Sequence, residues 1–253
     1  MPQNASNETW WREYLLRGHR SEGVARKIFP FLPAPPRCKV CYVPFGGIVG
    51  KILGAVGWAP SRKNPHLCSR CCDRLPAGGA EIEIAVFFAD VRGYTTVAEK
   101  LPPAQLAQAM QQFYQIAVQT VISHDGLVDK LLGDAVMALF VPGVAGADYR
   151  RQAIRAAAQL ARDLPSLPIG IGIHAGLAYV GNLGSHQVVD LTAIGDTVNI
   201  ASRLQGVAAA GELLITEEMA ALAVENFRTL ESRVVMLKGK EQPMTVRVLR
   251  SLR

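Results

Sequence analysis

The sequence predicts an α+β fold: a small, basic, cysteine-rich unit followed by a larger unit of mixed strands and helices. Three observations carry this. First, 49% of the 253 residues are hydrophobic and 19% are charged, which supplies a sizeable core and excludes wholesale disorder. Second, β-rich runs joined by hairpin turns mix with amphipathic helices from Glu81 onward. That pattern argues helices layered on a sheet rather than a doubly wound sheet. Third, all five cysteines and most of the net charge of +6 fall in the first third. Residues 1–80 hold 12 Lys/Arg against 4 Asp/Glu, and residues 81–253 hold 15 against 17.

In order, Glu8–His19 reads as a short helix with Trp10, Trp11, Tyr14 and Leu15 on or near one face. Phe29–Arg37 carries four prolines and reads as an extended connector, closing a first segment at residues 1–37. Residues 38–76 form the cysteine-rich unit, and Leu75–Gly79 (LPAGG) marks a linker into a third unit at 81–250. There, Ile82–Ala89 is a strand closed by Asp90 and the turn-like Arg92-Gly93. Pro102–Ser123 is a helix with proline at its start and apolar residues at helical spacing. Gly126–Phe140 gives two strands hinged at Gly133-Asp134. Asp148–Leu164 is helical and ended by Pro165; Ile169–Ala175 and, after a bend, Gly176–Val180 are strands. Asp196–Val207 is a helix opened by a capping aspartate. Strands at Leu213–Thr216, Arg233–Leu237 and Met244–Leu249 complete the chain.

Cys38-x-x-Cys41 and Cys68-x-x-Cys71 are two knuckles with 26 residues between them. In a reducing compartment such pairs favour metal over disulfide, because thiolates on tight turns complete a tetrahedral site. The alternative is a set of free or redox thiols. Zinc is the expected ion, since a closed four-thiolate site needs no redox partner, although an iron–sulfur cluster uses the same ligands. Cys72 and His66 are spare donors nearby.

No run of 18 or more uncharged apolar residues occurs, and the first ten residues lack a basic stretch feeding an apolar run. The expectation is a soluble, cytoplasmic protein without a transmembrane segment. The basic first third fits nucleic acid, an anionic membrane surface or an acidic partner. Nucleic acid is the weakest of these, since Phe, Tyr and Trp do not interleave with the basic residues as stacking requires.

Asp90 at a strand end and Asp134 in a hairpin turn converge if their strands are neighbours. Paired carboxylates repel and call for a divalent counter-ion such as magnesium or manganese. Val91, Arg92, Gly93, Tyr94 and Thr95 lead into a helix, where backbone N–H groups can hold phosphate oxygens. Together these point to two-metal handling of a nucleoside triphosphate.

FFADVRGYT, DKLLGDAVMALF and LTAIGDTVNIASRL, in this order, resemble the signature blocks of the class III nucleotidyl cyclase catalytic domain, over about Glu81–Leu249. The resemblance implies a ferredoxin-like βαββαβ core acting as a head-to-tail homodimer with two shared active sites. It implies that Asp90 and Asp134 of one subunit hold two metal ions, while the partner supplies Lys130, Thr192, Asn199 and Arg203. Asn199 and Arg203 are four apart and share a helix face; in the family they orient the ribose and stabilise phosphate charge. Lys130 and Thr192 fall at the base-selecting positions, where an ammonium donating to adenine N1 and a hydroxyl accepting from N6 favour ATP. Cyclic AMP and pyrophosphate would be the products. His124 and His174 are read as structural rather than catalytic. The cysteine-rich unit resembles a module found ahead of some bacterial cyclase domains and is expected to regulate through an unknown partner. Competing readings are a guanylyl or pyrimidine cyclase, or a non-catalytic nucleotide sensor built on a metal ribbon. The GG[DE]EF loop of diguanylate cyclases is absent, with Leu132-Gly133-Asp134 in its place.

Overall fold

The computed structural model describes residues 2–17, 36–61, 64–73, 75–164, 167–184, 189–223 and 231–250. Most of the proline-rich connector, His19 and Pro165 lie outside the described residues. The N-terminal unit is built from α1 (Pro2–Arg17), α2 (Gly47–Leu53) with a wider helical turn at Gly54–Trp58, and α3 (Ser69–Cys72). The expected aromatic face of α1 is real: Trp11, Tyr14 and Leu15 are buried.

The second unit runs β1 (Gly78–Val91), α4 (Tyr94–Lys100), α5 (Pro103–Ser123), β2 (Leu127–Leu132), β3 (Ala135–Phe140), α6 (Pro142–Ala145) and α7 (Tyr149–Asp163). It continues with β4 (Ile169–Gly184), β5 (Val189–Ile194), α8 (Asp196–Val207), β6 (Glu212–Thr216), α9 (Glu217–Ala223), β7 (Glu231–Val235) and β8 (Met244–Arg250). The sheet order is β2-β3-β1-β4-β6-β8-β7, with β5 hairpinned onto β4. β1 is antiparallel to both β3 and β4, and α5 and α7 make the crossovers. This is the ferredoxin-like βαββαβ core that the resemblance implied.

Strict alternation sets the layers. Ala85, Phe87 and Ala89 of β1, with Val136, Ala138 and Phe140 of β3 and Ile169, Ile171 and Ile173 of β4, face α5, α7 and α9. The opposite residues Ile82, Ile84, Val86 and Phe88 share a second cluster with Trp11, Tyr14, Leu15 and all five cysteines. The N-terminal unit is therefore packed on the sheet, and the two units share one core. A third cluster seats Ile200 and Leu204 of α8 against Leu214, Val246 and Val248.

Three sequence expectations are corrected. Gly78 and Gly79, read as linker, belong to β1 and pair with Asn182 and Gly181. A Cβ on Gly79 would lie 2.4 Å from the Val180 carbonyl oxygen, so the glycine serves strand approach. The bend expected before Gly176 is absent and β4 is one continuous strand. Asp196 is the first residue of α8 rather than its cap; Gly195 takes the cap position, and the Asp196 carboxylate instead accepts from Lys240 at 2.6 Å.

Candidate active site and metal centre

β1–β3 pairing sets Asp90 opposite Ala135, and the Val91 N–H donates to the Asp134 carbonyl at 3.0 Å. Both carboxylates therefore meet at one end of the sheet. Burial pushes the Asp90 carboxyl up from its ordinary pKa; the Arg92 guanidinium, 3.3 Å away, opposes this and the Asp134 carboxylate adds to it. Arg92 is further held by donating to the Gln205 carbonyl at the end of α8. Two carboxylates, one of them partly desolvated and paired with Arg92, form a donor set that suits a hard divalent cation.

Of the run following Asp90, two backbone amides are committed within the fold. Val91 donates to Asp134, and Arg92 donates to the Pro168 carbonyl at 2.6 Å. Gly93, at φ +73°, turns the chain so that Tyr94 and Thr95 open α4.

Lys130 and Thr192 come from different strands and meet: Lys130 Nζ donates to Thr192 Oγ1 at 2.8 Å. A residue the sequence reading passed over holds them together. Asp129, its side chain fully buried, accepts from Thr192 Oγ1 at 2.7 Å and from Lys130 at 3.1 Å. Asp190 adds a second carboxylate 3.6 Å from Lys130. The irregular pairing of β2 with β3 between Val128 and Lys130 is what turns these neighbours toward β5. A lone buried Asp beside a β-strand Lys has no periodic signal, so only the fold reveals it.

On α8, Thr197, Ile200, Ala201, Leu204 and Gln205 are buried, which leaves Asn199 exposed and Arg203 half-buried on the other face. Gly239 lies against the Arg203 guanidinium: a Cβ there would approach it to 3.3 Å. Among the described residues, no hydrogen bond or ion pair joins Asp90 or Asp134 to Lys130, Thr192, Asn199 or Arg203. Within one chain the Asp90–Asp134 pair and the Lys130–Thr192 pair are thus not bonded to each other.

Residues 80–250 match the family model described as the adenylate and guanylate cyclase catalytic domain. The chain belongs to this cyclase family. It is 36% identical over 180 residues to the uncharacterized Mycobacterium tuberculosis protein Rv1318c, covering 68% of this chain and 33% of that one. It is 34% identical over 217 residues to the uncharacterized Rv1319c of the same organism, covering 81% and 37%. The chain spans about a third of the length of these curated relatives. Among solved structures it is similar to the adenylyl cyclase CyaB from P. aeruginosa, with TM-score 0.61 and 28% identity over 69% of this chain and 97% of that one. The guanylyl cyclase Cya2 gives TM-score 0.65 at 23% identity over 69% and 95%, a likeness of fold.

The cyclase carries a second centre. Cys38, Cys41, Cys68 and Cys71 are all buried, with every sulfur within 4.8 Å of the others. Cys41 and Cys68 sulfurs are 3.7 Å apart, close to the edge of about 3.8 Å that Zn–S bonds of about 2.3 Å give in a tetrahedron. The thiols perturb one another: hydrogen bonds from its neighbours pull Cys38 down, while the same contacts push Cys41 and Cys71 up. A cluster in which one thiolate forbids the next is relieved by a cation, so these four cysteines can bind a metal ion. Cys72 is buried in the adjoining core and lies outside this set. His66 also lies outside it. His124 and His174 are structural in their contacts: His124 bridges Gln152 and Gln159 of α7, and His174 pairs with Thr216 at 3.0 Å.

Proposed function

We propose that this cyclase domain converts ATP to 3′,5′-cyclic AMP and pyrophosphate, as a homodimer in which each active site draws on both subunits. The observation that carries the base assignment is the Asp129–Thr192–Lys130 triad. A carboxylate can only accept, so the 2.7 Å contact commits the Thr192 hydroxyl proton to Asp129. Thr192 then presents a lone pair outward, and Lys130 presents a donor. Adenine offers an amino donor at C6 and an acceptor at N1, which matches this pair. Guanine offers the reverse at both positions and would face an acceptor with an acceptor.

The two half-sites support the shared arrangement. Asp90 and Asp134 would hold two magnesium or manganese ions, and the amides of Gly93, Tyr94 and Thr95 would steady the phosphates. The partner's copy of the other half-site would read the base through Lys130 and Thr192, position the ribose with Asn199 and meet phosphate charge with Arg203. The ions would supply acidity to the ribose 3′-hydroxyl and charge compensation at the phosphates. The cysteine centre would hold zinc and couple a regulatory input to the sheet it packs on.

The test is product analysis of the 253-residue chain with ATP, GTP, CTP and UTP in turn, with manganese and with magnesium. Cyclic AMP is the expected dominant product. Another cyclic nucleotide would discard the triad argument while leaving the cyclase chemistry. No product from any of the four would move the reading to a nucleotide sensor.

A further inference from the structure

Outside both centres, α2 and the helical turn after it form an exposed ridge. Ile48, Val49, Ile52 and Val56 are 78%, 37%, 60% and 60% exposed. Ile48, Ile52 and Val56 recur every four residues and line one side. Single exposed aliphatics are ordinary, but four within nine residues on one ridge mark an interaction surface. The ridge is braced from behind. Gly50 backs directly onto Phe45, where a Cβ would come within 2.3 Å of its carbonyl. Ser69 Oγ donates to the Gly57 carbonyl at 2.9 Å, and the Arg70 guanidinium sits 4.9 Å over the Trp58 ring. Ser69 and Arg70 belong to α3, which also carries Cys71, so the ridge is mounted on the cysteine centre.

Charge selects the occupant. Residues 23–72 contain eight Lys/Arg and no Asp/Glu; of those among the described residues, Lys39 is ion-paired with Asp125 and Arg70 packs on Trp58, while Lys51 projects from within the ridge itself. A second copy of this chain would set two such ridges, each carrying Lys51, against each other. Nucleic acid would satisfy the charge and leave the aliphatic side chains without a counterpart. An anionic bilayer satisfies both: side chains such as Ile48 and Ile52 enter the headgroup–acyl boundary while basic residues meet lipid phosphates. We propose that the ridge at residues 47–56 docks the cyclase peripherally on an anionic lipid surface. No helix among the described residues is long and apolar enough to cross a membrane.

The experiment is flotation of the full-length protein with vesicles of phosphatidylcholine alone and of phosphatidylcholine mixed with phosphatidylglycerol. Association with the mixed vesicles, weakening as salt rises, is expected. Ile48→Asp/Ile52→Asp should lower the partition coefficient at least about tenfold, and Lys51→Gln about fivefold, the factor for one basic residue at such a surface. Both variants should keep their cysteine-bound metal and their turnover in solution, which separates lost docking from lost folding. The proposal is overturned if wild-type protein stays unbound, if it binds neutral vesicles equally well, or if the double variant binds as wild type does. A lower oligomeric mass of the double variant without lipid would assign the ridge to a second copy instead. A salt-sensitive shift of DNA or RNA with no vesicle binding would assign it to nucleic acid.

Discussion

The two centres of this chain are built in opposite ways. All four clustered cysteines are buried and lie within reach of one another, so one chain completes the site. The candidate catalytic residues Asp90, Asp134, Lys130, Thr192, Asn199 and Arg203 are half-buried or exposed, with only their brace Asp129 buried, and among the described residues no hydrogen bond or ion pair joins the two aspartates to the other four. A structural metal site excludes water and gathers its ligands as the chain folds around the ion. A catalytic site must stay open until substrate and, on the reading proposed here, a partner subunit close it. Burial of the functional groups, rather than their identity, separates the two.

The largest expected effect tests the open site. Asp134→Asn should reduce turnover by about a thousandfold or more while the dimer persists, since a carboxamide compensates little metal charge. Mixing Asp90→Ala with Arg203→Ala protein should restore about one quarter of wild-type activity, because half of the randomly assorted dimers carry one intact site of two. Absence of restoration, when subunit exchange is verified by mass, would refute the shared site.

The closed site should respond through stability. Cys71→Ser removes one of four candidate ligands, and a structural zinc held by them would contribute on the order of 10 kcal/mol to folding. Metal content measured by elemental analysis should fall, and the melting temperature should drop with it. Because Trp11, Tyr14 and the cysteines share a core with Ile84 and Phe88, a single lowered transition is expected. An unshifted second transition would show that the cyclase unit folds without its N-terminal cover.

A smaller change sharpens the base assignment. Asp129→Asn replaces an obligate acceptor with a group that can also donate, freeing the Thr192 hydroxyl to turn outward. The ratio of ATP to GTP turnover should fall about tenfold to a hundredfold, the range set by mispaired buried hydrogen bonds. An unchanged ratio would remove Asp129 from base selection.

How much was legible in the sequence follows the same division. Strong periodicity located α5, α7 and α8, and strand-forming runs located β1, β3 and β4, each to within a few residues. Asp90, Asp134, Lys130, Thr192, Asn199 and Arg203 are singled out by motif order, since none stands out alone, and the fold brings Asp90 to Asp134 and Lys130 to Thr192. Asp129 does not show in the sequence because its contact with Thr192 joins β2 to β5, and β5 itself goes unread there. The glycines misled in two places. Gly79 was read as linker and Gly176 as a bend, whereas Gly79 admits a neighbouring strand and Gly176 admits Thr197 of α8, whose Oγ1 would lie 2.9 Å from an added Cβ. Close approach between elements leaves no trace in local sequence preference.

The smallest effect concerns a charge that belongs to neither centre and so should leave both intact. Glu212 opens β6 with its side chain almost wholly buried, accepting from Arg233 at 2.8 and 2.9 Å, from Arg250 at 2.8 Å and from the Ala209 N–H at 3.0 Å. The Arg233 hydrogen bonds dominate in holding its carboxyl at a pKa of about 2, below its ordinary 4.5, against the opposing effect of burial. A carboxyl with a depressed folded-state pKa stabilises the fold fully above its unfolded pKa and loses that contribution as pH falls through the folded value. The wild-type melting temperature should therefore decline between about pH 4.5 and pH 2. Glu212→Gln should lower stability by about 2 kcal/mol at neutral pH, or roughly 5 °C for a chain this long, and should flatten that acid limb. The two melting curves should converge toward pH 2, with metal content and the ATP to GTP ratio unchanged at neutral pH. A gap that persists at pH 2 would mean that packing rather than charge ties β7 and β8 to β6.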